Sequence, residues 1–151
     1  MKPIKFKTRS AIETKKIARQ LGRRLNPGDV VALRGPLGAG KTTFAKGLAK
    51  GLGVRSERQV SSPTFVLIHE YAARFPVYHL DWYRLEHVEG SDRQMAAECF
   101  EGKGVTLVEW PDRGENLLPD DRIEVRLQHM KPSGRLIEMR AFGERFKGFF
   151  G

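Results

Sequence analysis

The residues Gly35-Pro36-Leu37-Gly38-Ala39-Gly40-Lys41-Thr42 fit the pattern G-x-x-x-x-G-K-[ST], which dictates a local structure as well as a chemistry. Glycines let successive backbone N–H groups curl around phosphate oxygens, the lysine reaches the outer phosphates of a nucleotide, and the threonine hydroxyl faces Mg²⁺. The motif requires a buried strand before it and a helix after it. Both flanks are present. Asp29-Val30-Val31-Ala32-Leu33-Arg34 is a short apolar run, and Phe44, Ala45, Leu48, Ala49 and Leu52 recur at helical spacing. The spacing therefore predicts a phosphate-binding turn between strand and helix, with Gly38, Ala39, Gly40, Lys41, Thr42 and Thr43 as its ligand-facing residues.

A chain of 151 residues with 40% hydrophobic content supports one ordinary core, so a single domain over residues 1–151 is expected. No apolar run approaches the roughly 18 residues that span a bilayer. The start, Met1-Lys2-Pro3-Ile4-Lys5-Phe6, lacks the apolar stretch of a secretory signal. A soluble, cytoplasmic protein without membrane contact is the expectation. Cys99 has no cysteine partner and lies among Ala96, Ala97 and Phe100, which reads as a buried structural thiol. Lysine and arginine number 27 against 18 acidic residues, a formal charge of +9. Such a field attracts polyanions, either a nucleic acid or an acidic protein surface. Lys15, Lys16, Arg19 and Arg23 equally form the wet face of a helix whose other face is Ile12, Ile17, Ala18, Leu21 and Leu25.

Ile4 and Phe6 alternate with lysines as in an edge strand, and Ser10-Ala11-Ile12-Glu13 has the capping-box form. A helix is predicted from there to about Leu25, before Asn26-Pro27-Gly28, and a second from the phosphate loop to Gly53. Gln59 to Thr64 reads as loop. Phe65 to Tyr71 and Val77 to Asp81 read as strands of one hairpin, Gln94 to Phe100 as a short helix, and Val105 to Trp110 as another buried strand. Arg122 to Leu127 alternates and pairs with Leu136 to Ala141 across Pro132-Ser133-Gly134. The predicted fold is α/β, a P-loop NTPase-like three-layer arrangement whose sheet mixes parallel strands near the phosphate loop with antiparallel hairpins.

Turnover of a nucleotide needs an acidic residue near Mg²⁺ at the end of a strand beside the loop. Asp81 and Glu109 both end predicted strands, and both could serve one ion, one completing its coordination while the other orients or deprotonates water. Lys41, Asp81 and Glu109 are thus the catalytic candidates. Ser62-Pro63-Thr64-Phe65 occupies a place where a P-loop protein can carry a switch segment, and the Thr64 hydroxyl could bind phosphate or Mg²⁺; an ordinary Ser-Pro turn is the alternative. His79 reads as a packed or capped side chain. Trp110 could line the nucleotide site or belong to the core. No Asn-Lys-x-Asp guanine reader and no Asp-x-x-Gly switch is present, so ATP is favoured over GTP. A small-molecule phosphotransferase would need a lid with arginines, for which Arg84, Arg93 and Arg113 are scattered candidates. A nucleic-acid-binding module with a remnant nucleotide site is a third reading, drawn from the charge.

Taken together, Gly35 to Phe44, Ser62-Pro63-Thr64-Phe65, His79-Leu80-Asp81-Trp82-Tyr83-Arg84-Leu85 and Val108-Glu109-Trp110-Pro111 resemble the bacterial TsaE (YjeE) ATPases, which take part in making threonylcarbamoyladenosine in tRNA. The resemblance covers residues 10 to 140. It implies Mg²⁺ bound by Thr42 and Glu109, phosphates held by Gly38 to Thr43, Asp81 and Trp110 completing the site, and Thr64 in the switch loop. It also implies ATP and Mg²⁺ as cofactors, a TsaD and TsaB pair as partners, and tRNA as the substrate of that assembly, which ATP hydrolysis here would reset between rounds. Glu89 to Met95 departs from the acidic, leucine-rich helix of the family pattern.

Overall fold

The computed structural model describes residues 2–63 and 66–151. In chain order its elements are β1 (Ile4–Thr8), α1 (Ala11–Gly22), β2 (Val30–Arg34), α2 (Lys41–Leu52), β3 (Ile68–Tyr71), β4 (Val77–Asp81), α3 (Gly90–Phe100), β5 (Val105–Glu109), β6 (Arg122–His129) and β7 (Arg135–Phe142). Short 3-10 segments lie at Glu57–Gln59, Pro111–Leu117 and Glu144–Phe146.

One seven-stranded sheet, in the order β1-β7-β6-β2-β5-β4-β3, organises the molecule. Its apolar middle is parallel: β2 pairs with both β5 and β6, and β5 pairs with β4. Residues Val30 to Leu33 and every residue of β5 are buried, as expected of strands covered on both faces. The flanks are antiparallel, β1 on β7 and β3 on β4, with β6 and β7 forming the predicted hairpin. One side of the sheet packs against α1 and α2 through Val31, Leu33, Phe44, Leu48, Leu107 and Val125. The other packs β2, β4 and β5 against α3 and the segment after Trp110, through Ala32, Leu80, Trp82, Ala96, Val108 and Leu118. That is the three-layer, mixed-sheet α/β fold the sequence predicts.

The helix termini differ from the prediction for local reasons. Ser10 caps α1 by accepting from the Glu13 amide at 3.2 Å, while the Glu13 carboxylate accepts from the Arg9 amide at 2.6 Å, a capping box displaced by one residue. The helix ends at Gly22 rather than Leu25, because Arg24 and Leu25 donate to Leu21 and Gly22 in tighter i→i−3 bonds. Ile12, expected on the buried face, is 80% exposed. The buried stripe is Thr14, Ala18, Leu21 and Gly22, and Thr14 is tied to β1 by a 2.7 Å hydroxyl bond to Thr8. The third helix starts at Gly90, four residues before the predicted Gln94, with the Asp92 and Arg93 amides donating to the Glu89 carbonyl. Of the strand predicted over Phe65–Tyr71, β3 takes in Ile68–Tyr71, Leu67 has a positive φ of 69°, and Phe65 lies outside the described residues. Cys99 is buried, and burial pushes its thiol up to about 11, which agrees with a structural role.

Close contact between α1 and α2 rests on glycine. A Cβ on Gly22 would stand 2.3 Å from the Leu48 carbonyl oxygen, one on Gly47 2.5 Å from that of Lys15, and one on Gly51 2.3 Å from that of Arg19. None of these backbones can yield without separating the helices. Gly51→Ala is therefore expected to destabilise the protein by about 2 kcal/mol, even though alanine is the better helix former by roughly 1 kcal/mol. The urea midpoint is the measure, and an unchanged or higher midpoint would contradict the packing argument.

Candidate functional site

The phosphate-loop sequence connects the end of β2 to α2. Gly40 takes a left-handed conformation (φ 103°) at the N-cap of α2, a geometry that disfavours any side chain. Unlike α1, this helix has no side-chain cap and no acidic residue in its first turn. Its N-terminal amides and positive dipole end are consequently directed at whatever occupies the loop, an arrangement suited to an anion.

Lys41, Thr42, Asp81, Glu109 and Trp110 converge with Gly38, Gly40 and Thr43 on one cavity of about 400 Å³. Topology brings the acids together. Asp81 and Glu109 are register partners at the carboxyl ends of parallel β4 and β5, where α/β folds place their ligand crevices. Both are nearly fully buried, at 1% and 2% exposure. Asp81 accepts the Tyr83 amide on Oδ1 at 2.9 Å and the Ser62 hydroxyl on Oδ2 at 2.6 Å. Glu109 accepts His79 Nε2 on Oε2 at 2.6 Å, and its Oε1 has no hydrogen bond among the described residues. His79 is packed, as expected, at 0% exposure, and is also a buried partner of a site carboxylate.

Lys41 folds back on its own loop. Its ammonium donates to the carbonyls of Gly35 and Pro36 and stands 4.1 Å from the centroid of the Trp110 ring. Burial lowers its pKa, and the nearby charges of Glu109, Asp81 and Asp112 oppose that shift. Trp110 was expected at the end of a strand; instead it leaves β5 with φ 56°, left-handed, immediately before Pro111. A non-glycine residue there carries strain of about 1–2 kcal/mol. The indole is supported by stacking on Tyr83, ring centroids 4.8 Å apart.

Ala39 lies beneath the loop at 0% exposure, its amide donating to the Pro36 carbonyl at 3.1 Å. It does not line the cavity. Thr64 lies outside the described residues; its neighbour Ser62 does line the cavity. The arginines considered for a phosphotransferase lid, Arg84, Arg93 and Arg113, do not line it, whereas Arg135 does. Arg135, the first residue of β7, donates from Nε to the Ala39 carbonyl at 3.0 Å and from Nη2 to that of Gly38 at 3.4 Å. It braces the phosphate loop. Sequence reading found the turn that precedes it but not its target, because the contact depends on β6 lying beside β2.

Among the described residues no cluster of three or more His, Cys, Asp or Glu side chains is arranged to hold a metal on its own. The oxygen donors of Thr42, Asp81 and Glu109 nonetheless share the cavity, and a small hard cation that keeps several waters needs only one or two protein carboxylates beside nucleotide phosphates.

The strand that carries the loop is anchored at its last residue. Arg34 donates from Nε to Glu124 at 2.7 Å and from its other nitrogens to Glu115, and Arg122 donates to the second oxygen of Glu124 at 2.7 Å. This joins β2 to β6 and to the segment following Trp110.

A parallel strand running into this loop, an uncapped helix after it and paired acids on neighbouring strands define a P-loop fold. Residues 8–137 match the family model described as "Threonylcarbamoyl adenosine biosynthesis protein TsaE". The chain is 43% identical over 148 residues to the tRNA threonylcarbamoyladenosine biosynthesis protein TsaE of Bacillus subtilis (strain 168), covering 97% of this chain and 91% of that protein. It is 42% identical over 130 residues to the protein of the same name from Treponema pallidum (strain Nichols), with coverage of 86% and 95%. The crystal structure of Bacillus subtilis YdiB superposes with a TM-score of 0.80 at 38% identity, covering 99% of this chain and 92% of the other. The chain belongs to the TsaE family.

The Arg34 anchor predicts a pH dependence. Burial alone would raise the Glu124 carboxyl, but hydrogen bonds from Arg34 and Arg122 outweigh it and hold it below the usual carboxylate range. A depressed folded value contributes stability above the unfolded value that is lost as pH falls through the folded one. Glu124→Gln is expected to destabilise by about 1–2 kcal/mol at neutral pH, with the gap to wild type closing below about pH 4. Denaturant unfolding across pH checks this, and a pH-independent gap would contradict it.

Proposed function

We propose that this chain is a cytoplasmic, single-domain, Mg²⁺-dependent ATPase of the tRNA threonylcarbamoyladenosine modification machinery. The observation that carries the reading is the convergence of Lys41, Thr42, Asp81, Glu109 and Trp110 on one cavity at the uncapped start of α2. The names of the relatives support the pathway. In this reading a TsaD and TsaB pair is the partner assembly, tRNA is the substrate of that assembly, and hydrolysis here resets it between rounds. No helix among the described residues is long and apolar enough to cross a membrane.

Backbone amides of Gly38 and of Gly40 to Thr43 bind the phosphates of ATP. Lys41, released from the carbonyls of Gly35 and Pro36, neutralises charge on the outer phosphates. Trp110 then stands free of the ammonium and closes the cavity on one side. Thr42 and Glu109 hold Mg²⁺, which when bound neutralises charge on the phosphate oxygens. Glu109 suits that part because Oε1 carries no competing hydrogen bond among the described residues. Asp81, braced on both oxygens by Tyr83 and Ser62, orients the attacking water. Thr64 belongs to the loop that senses the outer phosphate, and turnover of the isolated protein is expected to be slow if a partner must position that loop.

Release of ³²P-phosphate from [γ-³²P]ATP is the direct test. Lys41→Ala is expected to abolish release and weaken ATP binding, and Glu109→Ala to abolish release, each by at least about a hundredfold. Wild-type rates in either variant would remove the assignment, and label appearing on a metabolite rather than as inorganic phosphate would establish a phosphotransferase instead. Capture of TsaD and TsaB from a native lysate in an ATP-dependent manner is expected for the partner assignment, and recovery of neither would contradict it.

A further inference from the structure

We infer that His79 and Tyr71 are positioning residues that link Glu109 to the Ser61–Pro63 loop, so that the carboxylate and the loop keep or change their places together. The inference rests on the reading of Glu109 as a cation ligand. Its ground is an unbroken chain of polar contacts through the sheet. From Glu109 Oε2 it runs 2.6 Å to His79 Nε2, and from His79 Nδ1 it runs 3.3 Å to the Tyr71 hydroxyl. The hydroxyl lies 3.2 Å from the Ser61 carbonyl and accepts the Ser61 amide at 3.3 Å. The next residue, Ser62, is bonded to Asp81 at 2.6 Å. Consecutive loop residues are thus tied to the two site acids, one directly and one through two buried side chains.

The proton count makes this link a fork. In the tautomer that donates from Nε2 to the Glu109 carboxylate, His79 Nδ1 is an acceptor. His69 Nδ1 lies 3.1 Å from the Ser61 carbonyl, which can only accept, so that nitrogen carries a hydrogen. The single Tyr71 proton then has two competing acceptors, the Ser61 carbonyl and His79 Nδ1. Rotating the hydroxyl toward His79 weakens its hold on the loop; rotating it toward Ser61 leaves His79 less firmly oriented against Glu109. No change of protonation is needed, only a rotor in a buried site where each unmade bond matters. His79 and Tyr71 have the chemistry expected of outer partners that orient a metal-side carboxylate. Packing alone would be met by an apolar residue at position 79, which is enclosed on β4 beside Leu107.

The test compares Tyr71→Phe, which keeps the ring and removes only the hydroxyl, with His79→Gln, whose amide nitrogen retains a donor toward Glu109. Amide hydrogen exchange of nucleotide-free protein and Mg²⁺ dependence of ATP hydrolysis are the readouts. Tyr71→Phe is expected to accelerate exchange at Ser61 and Ser62 by about tenfold and to raise the Mg²⁺ concentration for half-maximal rate by about tenfold, with the KM for ATP within about twofold. His79→Gln, which removes the acceptor that competes with Ser61 for the Tyr71 proton, is expected to leave exchange at Ser61 and Ser62 at or below the wild-type rate while keeping Mg²⁺ dependence nearer to wild type than Tyr71→Phe does. Wild-type exchange and Mg²⁺ dependence in Tyr71→Phe would overturn the inference. So would faster exchange spread equally over α1 and α2, which marks a general loss of core stability. Because the exchange measurement uses no nucleotide, it tests the link even if wild-type protein releases no phosphate from ATP.

Discussion

The left-handed turn at Gly40 is the constraint on which the rest of the site depends. It allows the chain to leave a buried parallel strand and enter α2 with that helix's first amides turned into the cavity and no side chain between them and a ligand. Everything else holds this turn in place or faces it. Arg34 fastens the end of β2, Arg135 grips the Gly38 and Ala39 carbonyls, and the glycines of α2 let α1 press the helix against the sheet. The parallel pairing of β2 with β5, and of β5 with β4, then sets the two acids opposite the start of α2.

The site is held in a self-satisfied form. Lys41 is bonded to loop carbonyls and covered by Trp110, Asp81 is bonded to Ser62 and Tyr83, and Glu109 to His79. Buried charges left unpaired are costly, so these internal contacts stand in for the phosphates and cation that the reading assigns to the cavity. In that reading, binding a nucleotide would exchange one set of charge-assisted contacts for another, and the exchange would reach Trp110, whose strained backbone and stacked ring sit on the same ammonium. A site built this way would couple occupancy to the shape of its rim.

Much of this was legible in the sequence. The phosphate loop, the strand and helix around it, the edge strand, both hairpins and the strand-end positions of Asp81 and Glu109 follow from short-range pattern, because local spacing and turn chemistry determine them. The parts that were not legible depend on contacts distant in the chain. Ile12 fits the periodicity of a buried face, yet the crossing with α2, set by Gly22, Gly47 and Gly51, buries Thr14 in its place beside the expected Ala18 and Leu21. Arg135 reaches the loop only because β6 lies beside β2. His79 alternates like any strand residue, and its tie to Glu109 emerges only when β4 pairs with β5. Thr64, whose role rests on the family resemblance, lies outside the described residues.

The most direct measurement is calorimetric titration of the nucleotide-free protein with ATP in the presence of millimolar magnesium. A cavity lined by the α2 amides, Lys41 and the two acids predicts saturable binding at one site per chain, weakened when magnesium is chelated. Absence of any heat of binding at millimolar nucleotide, or binding indifferent to magnesium, would contradict the assignment of this cavity to a metal-bound triphosphate.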